Sequence, residues 1–571
     1  MHFHALLVAA LSASAAATAP FLTASQLLKG APSLPRGLHR SLVQREQQQQ
    51  QELSSTSQAG QIAFSTPSDT VQQAYEAHYF NQLVSHDPAV PPPAPNATFR
   101  QRYWFDATHY RPGGPVILLD GGETDGEGRL PFLETGILRI LGEATGGIGV
   151  VFEHRYYGKS FPVDELTTDS YRFLTTLQSL HDGAHFARTI SFPGLEHLNL
   201  TSPQTPWLYY GGSYAGAKAA FARKLFPDVF WGAIASSAVT TAIIDYWEYY
   251  EPIRINGPDL CISRLISHTS TVDSLLALKS SFVTSSLKSF FGLPNVTRDV
   301  DFVNALALPL GSYQAQNWDP KVGSPFFTEF CHAIEQQPSS ALPAPLEEAL
   351  TALWPKDPRS RFAALSSYAA FIKERIASAC TDGMSQDECF GTDDYSGTGL
   401  EEAPWKSWSY QFCTEWGYFI GSAPKDKPSL VSRLITTDYT AQVCRGAFPP
   451  GELNRVPKEP NVTAINQWGS FDLSYSRLAF IDGSADPWLY ATPHSPHANK
   501  RKDTFKKPFK LIKGGVHHWD ENGLPPSSSD NEPPEIAKIH AEEVAFVQEW
   551  MREWRERGRW KWGKDAVGRW D

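Results

Sequence analysis

Residues 207–216 read WLYYGGSYAG, and the rest of the chain is best understood outward from this stretch. An apolar, aromatic run with strand character meets two glycines and a serine, then passes into AGAKAAFARKLF (215–226), a helix-forming run. A serine on so tight a strand-to-helix turn needs residues of minimal size two positions before and after it. Gly211 and Ala215 supply them, with Gly216 behind. Such a turn exposes the Ser213 hydroxyl at the C-terminal edge of a sheet. It aims the Tyr214 N–H at a developing oxyanion and sets a helix N-terminus beneath it. This is the geometry of a nucleophile elbow.

Strand and helix patterns alternate on both sides of the elbow. PVILLD (115–120) and GIGVVFEHR (147–155) read as strands. LTTLQSLHDGAHFARTI (174–190) has helical apolar spacing, and WGAIASSAV (231–239) is the next strand. The rhythm breaks over 240–469, which holds all six cysteines and mostly helical patterning. It resumes with SRLAFIDGSADPW (476–488), FKLIKGGVHHWD (509–520) and a helix near 535–555. Alternating strands and helices predict a parallel sheet covered on both faces. The fold class is therefore α/β, an α/β-hydrolase fold with an inserted helical cap domain. Its core spans 71–239 and 470–571, the second part carrying a C-terminal helix, and the cap spans 240–469.

A serine nucleophile needs a base held by an acid, and in this fold they follow it in the order acid, then base, each after a strand. Asp486 follows RLAFID, with Asp482 at the strand end as a second candidate. His517 follows FKLIK through Gly514 and Gly515, and His518 competes with it as the base. The second oxyanion donor is expected in the loop GGETDGEG (121–128), from the N–H of Gly122 or Glu123. The acidic residues of that loop read as solvated. No metal and no cofactor is expected.

Bulk properties restrict the rest. The chain has 571 residues and a net charge of -11, with no basic cluster before the extreme C-terminus, which excludes a nucleic-acid footprint. Residues 1–19 read as a secretory signal ending in small residues at Ala15, Ala17 and Ala19. No later apolar run is long enough to span a bilayer. A polar tract, QREQQQQQELSSTSQAGQ (44–61), cannot bury a core, and 20–70 reads as a pro-segment or disordered linker, with order beginning near Val71. Sequons at Asn96, Asn199, Asn295 and Asn461 predict glycosylation. Cys261, Cys331, Cys380, Cys389, Cys413 and Cys444 are even in number and lack metal spacing, so they predict disulfides.

GGSYAG, with EHRYYGKS (153–160), SYQFCTEWGYF (409–419), DGSADPW (482–488) and GGVHHWD (514–520), resembles the prolyl carboxypeptidase and dipeptidyl peptidase II family of serine peptidases, in the form of a secreted fungal-type member. The resemblance runs from about Val71 to the final helix. It implies cleavage of peptide bonds after proline, in secretions or in an acidic vacuolar or lysosomal lumen, on peptide substrates. Carried over by position, Ser213 is the nucleophile, Asp486 the acid of DPW, and His517, the first of the HH pair, the base. It also implies a Cys413–Cys444 bridge, which leaves Cys261–Cys331 and Cys380–Cys389 as the simplest remaining pairs. Trp488, two residues after Asp486, is expected to help select proline. The chain departs from the family pattern at Ala215, at Asp482 and in the GGETDGEG loop. Other readings of the same residues are a serine carboxypeptidase or esterase of different specificity, or an inactive binding protein. Exo- or endo-action and oligomeric state are left open.

Overall fold

The structure is a computed structural model; it describes residues 35–59, 74–336, 342–356 and 358–567. The expected signal, most of the 20–35 stretch and the 60–73 segment lie outside the described residues. An eight-stranded sheet forms the centre. Its strands are β1 (His78–Leu83), β2 (Thr98–Asp106), β3 (Val116–Asp120), β4 (Ile148–Phe152), β5 (Trp207–Gly212), β6 (Phe230–Ser236), β9 (Leu478–Gly483) and β10 (Phe509–Ile512). They are ordered β1-β2-β4-β3-β5-β6-β9-β10. β1 and β2 pair antiparallel, and β3 to β10 of this sheet pair parallel. This is the α/β-hydrolase fold.

β3, β4, β5, β6 and β9 are buried along their whole length, as central parallel strands with helices on both faces must be. Among the described residues the first helix is α1 (Arg36–Ala59), discussed below. On one face of the sheet lies α2 (Ile137–Thr145), whose Ile137, Leu138 and Leu141 join Ile117, Leu119, Val151 and Leu208 in one core. On the other lie α3 (Thr176–Thr189) and α4 (Tyr214–Leu225), whose Leu180, Phe186, Ala217 and Phe221 pack with Val116, Leu118, Val150 and Tyr209.

Between β6 and β9 the chain builds the helical insertion. It opens on β7 (Ile243–Asp245), which pairs in parallel with β8 (Gly417–Phe419) to form a small second sheet. Its helices include α5 (Asp259–Ala277), α6 (Phe326–Glu335), α7 (Gln386–Phe390) and α8 (Ala403–Gln411). Three disulfides brace the insertion: Cys261–Cys331 between α5 and α6, Cys380–Cys389, and Cys413–Cys444. These are the expected pairs. The last helix, α9 (Pro534–Val567), packs with α2, and its Trp550 ring lies where a Cβ on Gly232 of β6 would fall, 2.7 Å away. Among the described residues no helix is long and apolar enough to cross a membrane.

The expected start of order near Val71 is corrected here, because α1 lies before it. Arg36, Leu38, Ser41 and Leu42 of α1 are buried, Leu38 and Leu42 within the main core cluster. The glutamine run dominated the composition and hid the short apolar stripe just before it.

Two ion pairs from the EHR motif lock the front of the sheet. Glu153 accepts from Arg102 Nε (3.2 Å), Ser160 Oγ (2.6 Å) and the Gly126 N–H (3.0 Å). Arg155 grips Asp182 of α3 through Nε and Nη2, both at 2.6 Å, and donates to the carbonyls of Val84 and Phe173. Burial pushes the Asp182 carboxyl up, but Arg155 and His86 outweigh it and hold it at about 2. Removing one partner of a buried pair leaves an uncompensated charge, at about 3–5 kcal/mol. Asp182→Ala is therefore expected to lower thermal stability far more than Asp228→Ala, whose exposed partner is Arg188. Melting curves of the two variants check this, and equal shifts would contradict it.

Candidate active site

Ser213 stands between β5 and α4 at φ +60°, a conformation that L-residues seldom adopt. The turn leaves no room around it. A Cβ on Gly211 would lie 2.2 Å from the Ala215 carbonyl oxygen, and one on Gly216 2.5 Å from that of Ser236. The Ser213 N–H donates to the Ser236 carbonyl of β6 at 2.9 Å, which fixes the elbow to the neighbouring strand.

β9 and β10 deliver the other candidates. Asp486 follows β9, and its carboxylate lies 2.8 and 3.0 Å from His517 Nδ1 while accepting the Trp488 N–H at 2.9 Å. His517 Nε2 is buried and, among the described residues, makes no hydrogen bond; His517 and Ser213 line one cleft of about 580 Å³. The alternatives are engaged elsewhere. Asp482 bonds His494 Nδ1 at 2.5 Å and accepts the Ala238 N–H. His518, at φ +38°, lies 2.9 Å from Glu521, and its own N–H donates to Ser237 Oγ.

The loop after β3 departs from expectation. The Gly122 N–H donates to its own Asp120 at 2.9 Å, so it is not free for an oxyanion and drops out as a donor. Among the described residues the Glu123 N–H has no acceptor, and Glu123 lines the cleft with Ser213 and Tyr214. The loop acids are not simply solvated either. Arg102 bonds Asp125 at 2.6 Å and Glu127 at 2.5 Å, which moors the loop to β2.

Beneath the elbow Asp120 meets Lys218 of α4 at 2.5 Å and accepts from the Tyr209 hydroxyl. Burial alone pushes the Asp120 carboxyl up; the Lys218 charge overcomes this and holds it below its usual range. His154 Nε2 lies 3.1 Å from the Tyr214 hydroxyl, and burial drives its pKa down to about 3, so it is neutral. The aspartate of HHWD has a structural part that its sequence context did not reveal. Asp520 accepts from Ser236 Oγ on β6 and Tyr210 Oη on β5, both at 2.5 Å, and so ties the histidine loop to the two strands flanking Ser213. Lys218 and Asp520 were hidden because a helical lysine and a loop aspartate ordinarily face water.

Trp488 is 7 % exposed and also lines the cleft. Its indole stacks on Tyr246 at 5.3 Å and takes the edges of Tyr249 and Tyr418, while Nε1 donates to Gln314 at 2.8 Å. Tyr418 comes from the GYF end of the CTEWGYF motif and is fixed by its hydroxyl to the carbonyls of Val239 and Thr241. The expected sequons at Asn96, Asn199, Asn295 and Asn461 are all on exposed residues.

A serine at a strained elbow, beside a carboxylate-bound histidine on the C-terminal edge of this sheet, defines the class of serine hydrolases. Residues 93–541 match the family described as serine carboxypeptidase S28, and the chain belongs to that family of serine-type peptidases. A probable extracellular serine carboxypeptidase of Arthroderma benhamiae is 42% identical over 503 residues, covering 85% of this chain and 69% of its own length. Serine protease vicPb of Bipolaris victoriae is 29% identical (77% and 83% covered), and the thymus-specific serine protease of Mus musculus 26% (80% and 84%).

Glu415 of the CTE motif joins cap to core: its carboxylate accepts the N–H (2.9 Å) and hydroxyl (2.8 Å) of Thr176 at the start of α3. Burial pushes its pKa up to about 7 from an ordinary value of 4.5. The folded state therefore holds a proton that the unfolded chain releases above pH 4.5, and this contribution to stability is intact below that value and lost as pH rises through 7. Glu415→Gln mimics the protonated form. Its melting temperature is expected to equal that of the wild type near pH 4.5 and to exceed it by a few degrees at pH 8. A difference independent of pH would contradict this.

Proposed function

We propose that the chain is a secreted serine peptidase that cleaves peptide bonds after proline through an acyl-enzyme, with Ser213, His517 and Asp486 as its triad. In the first half-reaction the Ser213 oxygen adds to the scissile carbonyl carbon and its proton passes to His517 Nε2. Asp486, bonded to Nδ1, orients the ring and stabilises the imidazolium. The N–H groups of Tyr214 and Glu123 are the donors for the oxyanion, an interaction made only once the tetrahedral centre has formed. The imidazolium then gives its proton to the leaving amine, the C–N bond breaks, and the acyl group stays on Ser213. Water, deprotonated by His517, releases it by the same steps in reverse.

The observation that carries the proline reading is the aromatic corner of Trp488, Tyr246, Tyr249 and Tyr418, in which Trp488 and Tyr418 line the cleft with Ser213. Proline is compact, apolar and without an N–H, so a slot of ring faces needs no acceptor for it. Secretion is supported by the leader-like residues 1–19, by three disulfides and by the extracellular assignment in the name of the Arthroderma relative. Exposed sequons fit glycosylation of Asn96, Asn199, Asn295 and Asn461.

Ser213→Ala is expected to abolish turnover and fluorophosphonate labelling at an unchanged melting temperature, since triad members act as a unit. Asp486→Asn is expected to lower kcat by about 10⁴. Asp482→Asn should have a mild effect; the reverse order would reassign the acid. Burying a proline ring on an indole contributes about 1–2 kcal/mol. Trp488→Ala is then expected to lower kcat/KM about 10-fold on a prolyl substrate and much less on an alanyl one. Equal losses would reduce Trp488 to a support of its loop.

A further inference from the structure

Helix α1 has two faces, one fastened to the insertion and one lining the cleft that holds Ser213. Arg36, 5 % exposed, donates through Nε to Glu402 at 3.0 Å and through Nη1 to Asp394 at 3.2 Å and Ser396 Oγ at 3.0 Å. Glu402 is also bonded by Trp405 Nε1 at 2.6 Å. Arg45 Nη2 donates to the carbonyls of Ser378 (2.7 Å) and Cys380 (3.0 Å), and Ser41 Oγ accepts the Thr381 N–H at 3.2 Å. Gly37 passes so close to α7 that a Cβ there would lie 1.8 Å from the Glu388 carbonyl oxygen. The contact falls beside Cys389, whose disulfide to Cys380 holds that surface together.

His39, Val43 and Glu46, spaced four and three apart and so on one side of the helix, line the same cleft as Ser213, Trp488 and His517. Leu400 and Trp405 of the insertion continue this wall. At about 580 Å³ the cleft has the size of sites that hold a molecule as large as a few residues of peptide. This wall is held by a buried ion pair, several hydrogen bonds and two buried leucines.

We propose that α1 is a wall of the substrate site and sets how far a peptide extends from the scissile bond, confining the enzyme to short peptides and chain ends. This rests on the peptidase reading above. Val43 and His39 are in this account specificity-determining residues, supplied by a segment whose composition looked expendable. Arg36 and Gly37 act as positioning residues that keep the wall in place.

The test is a ladder of peptides sharing one scissile bond, built on whichever residue the wild type cleaves after, and lengthened one residue at a time on each side. The wild type should show kcat/KM falling steeply beyond a set length on one side. Val43→Trp narrows the cleft. It should lower kcat/KM about 10-fold on the longest accepted peptide while fluorophosphonate labelling, which needs little space, stays within about 2-fold of wild type. Gly37→Val, which wedges α1 away from α7, should extend the accepted length, and Arg36→Gln should do the same, with Arg36→Lys closer to wild type. A wild type that labels and turns over but shows a flat length profile would overturn the wall and leave the peptidase reading intact. So would a Val43→Trp enzyme with an unchanged profile. A wild type that neither labels nor turns over any peptide would overturn both.

Discussion

The steric closeness of the turn at Ser213 is the constraint from which the rest of the site follows. A backbone that leaves β5 and enters α4 within one residue brings Gly211 against Ala215 and Gly216 against the end of β6. Only a sheet already hydrogen-bonded on that side holds such a turn, and the Ser213 N–H to Ser236 carbonyl bond does so. Strain at one residue is thereby supported by the strand register on both flanks. This is how a residue at φ +60° persists in a folded protein.

Around that turn the molecule places charge in layers. Lys218 and Asp120 neutralise each other under the helix, and Arg102 gathers Glu153, Asp125 and Glu127 at the loop opposite. Such pairs contribute little net stability compared with apolar packing of the same volume. Their contribution here is positional: Asp120 and Lys218 join β3 to α4, and Arg102 ties the loop of Asp125 and Glu127 to β2. Asp520 does the same for the histidine loop, so the edges of the cleft are each tied to the sheet by polar side chains.

Much of this was legible in the residues. The elbow, the parallel strands and the contact of Asp486 with His517 all follow from short motifs whose sterics admit few arrangements. What was not legible depended on partners far along the chain. β1 and β2, HYFNQL and TFRQRYWFD, are the two antiparallel strands at one end of the sheet; they mix polar and apolar residues, and no glycine-rich turn announces them. The leucines of α1 become core residues only because the insertion receives them. The Gly122 N–H looked available until Asp120, two residues before it, proved to be its acceptor. Local sterics are written in local sequence, whereas burial is a property of the assembled chain.

The order of the strands has a consequence in time. Ser213 directly follows the fifth strand, yet β9 and β10, which complete the sheet beside β6, come from near the end of the chain, and Trp550 of the final helix packs against Gly232. Synthesis delivers Ser213 long before Asp486 and His517. The three proposed triad positions are therefore all present only once most of the chain has been made.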